Sequence, residues 1–142
     1  NVFTGTVGFI AAIVTAVRNP DDISAVSFGA FVLLFAFTYL WVAINRFLQT
    51  DGRGLGWYSL FVAITAVPVG IETLLRAQTT WGLWLAVDWL AWAVLWFCYF
   101  LLLVPRRIPL SFVAWLTVLE GILTAWLPGC LILMGHLRPV VA

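Results

Sequence analysis

Long apolar stretches separated by short polar turns make up almost the whole chain. Five of them can be read along the sequence, over residues 2–17, 23–47, 57–75, 81–104 and 110–137. A helix needs about 20 apolar residues to cross the hydrocarbon core of a membrane, and only the first stretch is clearly shorter. The pattern predicts an all-α integral membrane protein, a bundle of five transmembrane helices joined by short loops.

Details within the stretches predict how the helices begin, pack and bend. One face of the first stretch carries only small residues, Gly5, Gly8 and Ala12, which favours close helix packing in a membrane. The glycine-containing segment 49–56 is expected to be a loop. Pro68 should kink the third helix, and Pro128 with Gly129 should break or bend the fifth. Glu72 and Arg76 have the spacing of an ion pair on one helix.

The fourth stretch carries a stripe of large side chains at helical spacing. Its members are Trp81, Leu85, Trp89, Trp92, Trp96 and Tyr99, with Asp88 at the margin. An interfacial belt would place Trp near the ends of a span, yet this stripe runs through the middle, so helix packing or a pore wall remain as interpretations. The pore interpretation explains more, because indole faces form a slot for flat, neutral solutes in which ions would lose their hydration.

Composition supports a membrane protein and excludes several other classes. Hydrophobic residues make up 64% and charged residues 9% of the 142 residues, against about 25% charged in a soluble domain. The length fits a single domain, 1–142. A net charge of +1 with no basic cluster excludes a nucleic-acid partner. With one His and no nucleotide-binding loop, we expect no enzyme activity, no cofactor and no metal site. Cys98 and Cys130 are expected to be buried thiols.

The arginines give a weak indication of orientation. If the spans alternate, one side of the membrane holds Arg46, Arg53, Arg106 and Arg107, and the other holds Arg18, Arg76 and Arg138. Positive residues are enriched in cytoplasmic loops. The four-to-three distribution therefore predicts that the first group is cytoplasmic and that the C-terminus lies outside.

Two acidic residues, Asp88 and Glu120, lie inside apolar stretches. A charge at the middle of a bilayer costs about 2.5–3.5 kcal/mol on insertion scales, so such residues face a protein interior or a wet cavity. They either serve function or join helices by hydrogen bonds. Thr117 and Thr124 share a face with Glu120, which favours a functional role for that residue. For Asp88 both interpretations stay open.

Four segments resemble the AmiS/UreI family of urea and short-chain amide channels. They are LLFAFTYLWVAIN (33–45), GWYSLFVAITAVP (56–68), WLAWAVLWF (89–97) and LEGILTAWLPG (119–129). The resemblance implies six transmembrane helices per protomer, a homohexameric ring in the cytoplasmic (inner) membrane, one pore in each protomer, and lipid in the centre of the ring. Residues 1–17 look like the second helix of the family, so the first helix is expected to be missing here.

The resemblance also carries pore roles onto particular residues. They are Phe35, Tyr39, Trp89, Trp92, Leu95, Trp96 and Glu120, whereas no role carries over to Asp88. It implies a passive channel for urea or short aliphatic amides that supplies a cytoplasmic urease or amidase, and the choice between the two solutes stays open. Acid gating is not expected, because the loop around residues 18–23 is short and contains no His. The alternative is a non-transporting membrane scaffold or a subunit of a larger complex.

Overall fold

The computed structural model describes residues 1–137 and shows helices throughout, with no strand in that range. The first four helices are α1 (Val2–Arg18), α2 (Ile23–Leu48), α3 (Arg53–Arg76) and α4 (Thr80–Leu103). The fifth span, Leu110–Leu133, consists of α5 (Leu110–Glu120), a π-helical segment (Gly121–Trp126) and α6 (Leu127–Leu133). Within the described residues, α2, α3, α4 and the fifth span are long and apolar enough to cross a membrane, and α1 is shorter. The all-α membrane fold is confirmed; Arg138, used in the orientation argument, lies outside the described residues.

The predicted loop over residues 49–56 is wrong in extent, because α3 already begins at Arg53. The Asp51 carboxylate accepts a hydrogen bond from the Arg53 backbone N–H at 3.0 Å, which satisfies one of the free donors at a helix start. Gly54 and Gly56 lie inside the helix, and glycine suits both positions because neighbouring side chains leave little room for a Cβ atom. A Cβ on Gly56 would lie 2.6 Å from the Val104 side chain.

Both prolines lie within continuous helical spans, and the predicted kink at Pro68 stays a prediction. Helix α3 continues through Pro68 to Arg76, and the predicted pair Glu72–Arg76 is confirmed at 2.8 Å. The fifth span also continues past Pro128, which is the second residue of α6. Its irregular part is the π-helical segment just before that proline. The helical span ends at Leu133 rather than at residue 137.

The contacts divide the chain into two compact units, with the border after Leu55. In the first unit α1 and α2 pack as an antiparallel pair through small residues, as the sequence predicted. A Cβ on Gly5 would lie 2.7 Å from the Leu40 side chain, and one on Gly29 would lie 2.8 Å from the Ala12 carbonyl oxygen. The Asp22 carboxylate caps α2 by accepting the Ser24 N–H at 2.8 Å. The close approach of α1 and α2 at Gly5 and Ala12 confirms the predicted role of the small face.

The second unit begins at Gly56 and contains most of α3, all of α4 and the fifth span. Helices α3 and α4 run antiparallel and approach closely at two glycines. Gly56 lies against Val104, and Gly70 lies against Leu90, where a Cβ would be 2.9 Å from the Leu90 side chain. The close approach holds α4, with its aromatic stripe, against α3 along much of its length. The single channel domain expected for 1–142 stays a prediction.

Candidate functional site

The indole rings in the middle of α4 turn inward rather than toward the surroundings of the helix. Trp89 and Trp96 are only 7% and 6% exposed, and Trp92 and Leu95 are half-buried. The rings of Trp89 and Trp92 meet edge to face, with centroids 5.4 Å apart and planes at 76°, the arrangement that aromatic pairs prefer. An interfacial belt would leave these rings exposed, so that interpretation of the stripe does not fit them.

Trp92 is connected to the fifth span by a hydrogen bond between side chains. Its Nε1–H donates to the Thr124 hydroxyl at 2.9 Å, and that hydroxyl donates to the Glu120 backbone carbonyl at 2.8 Å. An indole N–H can only donate, and a hydroxyl has one hydrogen and two lone pairs. The direction of both bonds is therefore fixed, from the indole through the hydroxyl to the carbonyl.

Tyr99 makes an equivalent connection seven residues further along α4. Its hydroxyl lies 3.0 Å from the Thr117 hydroxyl, which donates to the Val113 carbonyl at 2.7 Å. Since the one hydrogen of Thr117 is used by that carbonyl, Tyr99 is the donor in the pair. Two aromatic residues of α4 are thus held by two threonines of the fifth span, with the same spacing of seven residues on both sides.

Glu120 lies between these two connections. It follows Thr117 by three residues and precedes Thr124 by four, and Trp96 has the matching position on α4 between Tyr99 and Trp92. The Glu120 side chain is 7% exposed, and its Oε2 atom has no hydrogen-bond partner among residues 1–137. Buried polar atoms without a partner are rare and call for an explanation, such as a ligand or an ordered water. The alternative, in which Glu120 only joins helices by hydrogen bonds, leaves this oxygen without a partner.

Asp88 is buried on α4 at 4% exposure. Its carboxyl group accepts a hydrogen bond from the Trp84 side chain one turn earlier. In the described part of the chain, no three His, Cys, Asp or Glu side chains are grouped so as to hold a metal ion. Asp88 therefore contributes a second buried carboxyl near the seam between α4 and the fifth span.

The seven predicted site residues are divided between the two units. Trp89, Trp92, Leu95, Trp96 and Glu120 belong to the second unit, the first four on α4 and Glu120 at the end of α5. Phe35 and Tyr39 lie one turn apart on α2 in the first unit, the former half-buried and the latter 38% exposed. The pore role of all seven residues stays a prediction.

Tyr99, Thr117 and Thr124 were not among the predicted site residues, although their hydroxyls shape the seam. The signal was present in the sequence, because Thr117 and Thr124 share the face of Glu120 and Tyr99 belongs to the aromatic stripe. What the sequence did not show is the register between α4 and the fifth span, which pairs each threonine with one aromatic residue. The π-helical segment after Glu120 was also missed, and such segments occur frequently at functional sites.

Comparison with known proteins gives consistent matches over nearly the whole chain. Residues 1–136 match the AmiS/UreI family transporter description. The acid-activated urea channel of Helicobacter pylori is 39% identical over 162 aligned positions, which cover 96% of this chain and 83% of the channel. A putative amidate substrates transporter protein of Mycolicibacterium smegmatis is 40% identical, covering 96% of this chain, and the chain spans 63% of that relative.

A solved structure has the same fold. The cryo-EM structure of the Helicobacter pylori urea channel in a closed state is matched with a TM-score of 0.84 at 37% sequence identity, over 96% of this chain and 81% of the other. A family match over residues 1–136 and relatives near 40% identity agree with the resemblance seen in the sequence. The chain belongs to the AmiS/UreI family of transporters.

Proposed function

We propose that this protein is a passive channel for urea or short aliphatic amides, and that the solute binds at the seam between α4 and the fifth span. The observation that carries the proposal is the buried Oε2 atom of Glu120, which has no hydrogen-bond partner among the described residues. A carboxyl group accepts N–H hydrogen bonds when ionised and keeps an acceptor when protonated.

The chemistry of the seam suits flat, neutral amides. Indole faces cover the two sides of a planar solute, and a carboxyl oxygen accepts one of its N–H groups. The hydroxyls of Thr117 and Thr124 each donate to a backbone carbonyl and accept from an aromatic residue of α4. The Glu120 Oε2 atom, in contrast, has no hydrogen-bond partner among the described residues and can accept one from a solute. Relatives named as a urea channel and as an amidate transporter support this class of solute. They do not support the non-transporting scaffold, and they point away from an enzyme.

The wider setting follows from the family. We propose a homohexamer in the cytoplasmic membrane, with lipid inside the ring and a cytoplasmic urease or amidase that consumes the solute. The four long apolar helices of the described chain support a multi-pass membrane protein. The urea-channel relatives are consistent with the oligomer, which chemical cross-linking of the protein in native membranes tests directly.

The proposed function is tested by stopped-flow light scattering on proteoliposomes that contain the full-length protein. We expect urea and acetamide to enter faster than into empty liposomes. Glu120→Gln keeps one acceptor oxygen but replaces the other with a donor, so urea flux should fall about two- to tenfold, the equivalent of one hydrogen bond. Glu72→Gln is the matched control, because this carboxylate is exposed and paired with Arg76 on the surface.

Three results would contradict the proposal at different points. Permeability equal to that of empty liposomes, measured with an assembled oligomer, would remove the channel function. Wild-type urea flux in Glu120→Gln would leave the channel in place but remove Glu120 from solute binding. A fall of equal size in Glu72→Gln would show that the effect arises from charge at large rather than from the seam.

A further inference from the structure

We infer that Thr124 is a positioning residue that sets the size selectivity of the channel by fixing the ring of Trp92; this inference rests on the proposed function. The hydroxyl of Thr124 receives the indole N–H at 2.9 Å and passes its own hydrogen to the Glu120 carbonyl at 2.8 Å. The indole is therefore tied to the backbone of the residue whose carboxyl is proposed to bind the solute.

Two hydrogen bonds of defined direction connect the Trp92 ring to the backbone of the fifth span. Thr124 bonds to a carbonyl four residues back on its own helix, so its hydroxyl oxygen presents its lone pairs to the outside of that helix. Trp92 is only half-buried, so packing alone does not hold its ring as it holds the buried Trp89 and Trp96. The hydrogen bond to Thr124 restricts the rotation of the Trp92 ring about its side-chain torsions, which packing alone leaves free to change.

The second threonine supports the same inference. Thr117 donates to the Val113 carbonyl and accepts the Tyr99 hydroxyl, so the same device occurs on either side of Glu120. A threonine used only for helix packing needs no aromatic donor at its hydroxyl. Thr73, for comparison, makes the same bond to its own helix, to the Val69 carbonyl at 2.7 Å, and lies on α3 rather than on the fifth span.

This arrangement has a consequence for recognition. Because the N–H of Trp92 is engaged by Thr124, the ring meets the solute through its face and edge rather than as a hydrogen-bond donor to the solute carbonyl. Recognition by hydrogen bonding is then left to the Glu120 carboxyl, and Trp92 acts by shape. Loosening the ring should widen the range of solutes admitted while changing urea flux much less.

The test compares size selectivity among threonine variants in the full-length protein. In proteoliposomes, Thr124→Val should raise the permeability ratio of thiourea to urea by about two- to tenfold, the factor that corresponds to one lost hydrogen bond. Thr124→Ser keeps the hydroxyl and should keep the wild-type ratio. Thr73→Val removes a hydroxyl with the same bond to its own helix and should leave the ratio unchanged.

A double-mutant cycle tests whether Thr124 acts through Trp92. Trp92→Phe removes the same hydrogen bond from the indole side and keeps an aromatic ring, so adding Thr124→Val to it should produce no further change in the ratio. Thermal unfolding of the four proteins in detergent should show the same coupling, and this readout does not depend on transport. Trp92→Phe also tests the bond if Thr124→Val alone fails to assemble.

The outcomes separate this inference from the proposed function. Wild-type flux at the level of empty liposomes would end the proposed function, whatever the unfolding data show. If the wild type transports and Thr124→Val keeps its thiourea-to-urea ratio, the positioning role is wrong and the channel stands. The role is also wrong if Thr124→Ser shifts the ratio as Val does, or if the two single changes add without coupling.

Discussion

Truncating Trp92 to Ala is the sharpest test of the aromatic wall, because the structure shows which interactions are lost. The change removes one hydrogen bond to Thr124 and one edge-to-face contact with Trp89, each worth about 0.5–1.5 kcal/mol. Truncation of a core Trp costs about 3–5 kcal/mol, and Trp92 is only half-buried. We therefore expect a loss near the lower end of that range, which a protein of ordinary stability survives.

The effect on selectivity should be larger than the effect on folding. A well-packed apolar pocket discriminates by about 1–3 kcal/mol per methylene, or about 10–200-fold. Butyramide carries two methylenes more than acetamide, so a slot that rejects it does so through close contact with rings such as Trp92. Once that ring is gone, the permeability ratio of butyramide to acetamide should rise about tenfold or more, while urea flux changes little.

The measurement is stopped-flow light scattering with urea, acetamide and butyramide on the same proteoliposomes, after the oligomer has been checked by size-exclusion chromatography. Trp126→Ala is the matched control, because the same substitution there affects a ring that is 65% exposed on the π-helical segment. If Trp92→Ala assembles and keeps the wild-type ratio, the ring only packs the helices, and the size limit is set elsewhere. An equal change in Trp126→Ala would point to a general loosening of the bundle.

Two further predictions concern helix packing and pH. Gly29→Ala places a Cβ atom 2.8 Å from the Ala12 carbonyl oxygen and should lower the free energy of unfolding in detergent by about 1–3 kcal/mol. Gly129→Ala is the control, because a Cβ atom there meets nothing within 4 Å. Equal stabilities of the two variants would contradict the close contact of α1 with α2. Urea permeability should change less than about twofold between pH 7.5 and pH 5, which straddle the ordinary His pKa, because the connections over residues 19–22 and 77–79 contain no His. A several-fold rise on acidification, measured in the same liposome assay, would direct attention to the buried carboxyls Asp88 and Glu120.

The apolar pattern predicted the number and type of helices because lipid imposes a strong rule on the backbone. In hydrocarbon every N–H and C=O must be satisfied within the segment, so a long apolar stretch becomes a helix whatever its neighbours are. The small face of α1 and the Glu72–Arg76 pair were predictable for a similar reason, since both depend on spacing along one helix. The start of α3 was not, because Gly54 and Gly56 read as loop residues until their neighbours are known.

The sequence predicted which residue types form the candidate site, but not which side chains of α4 and the fifth span bind each other. Trp89, Trp92, Trp96 and Glu120 stood out because bulky rings and a carboxyl are costly in the middle of a membrane span. Which threonine binds which ring depends on the register between two helices, and each helix taken alone is compatible with several registers. The π-helical segment was not predictable either, since no residue type in Gly121–Trp126 marks it.

In the proposed channel, one carboxyl can give selectivity in an otherwise apolar path. The reason is that the indole and hydroxyl hydrogens of the seam are already used in hydrogen bonds within the protein. Trp92 donates to Thr124 and Tyr99 donates to Thr117, and both threonines donate to backbone carbonyls. These groups offer little to an anion that has lost its water, and burying an unpaired charge is costly. A neutral amide loses fewer hydrogen bonds on entry and recovers one at Glu120, whose Oε2 has no partner in the described residues. If the seam is the solute path, as we propose, the same connections that hold the rings in place should also exclude anions.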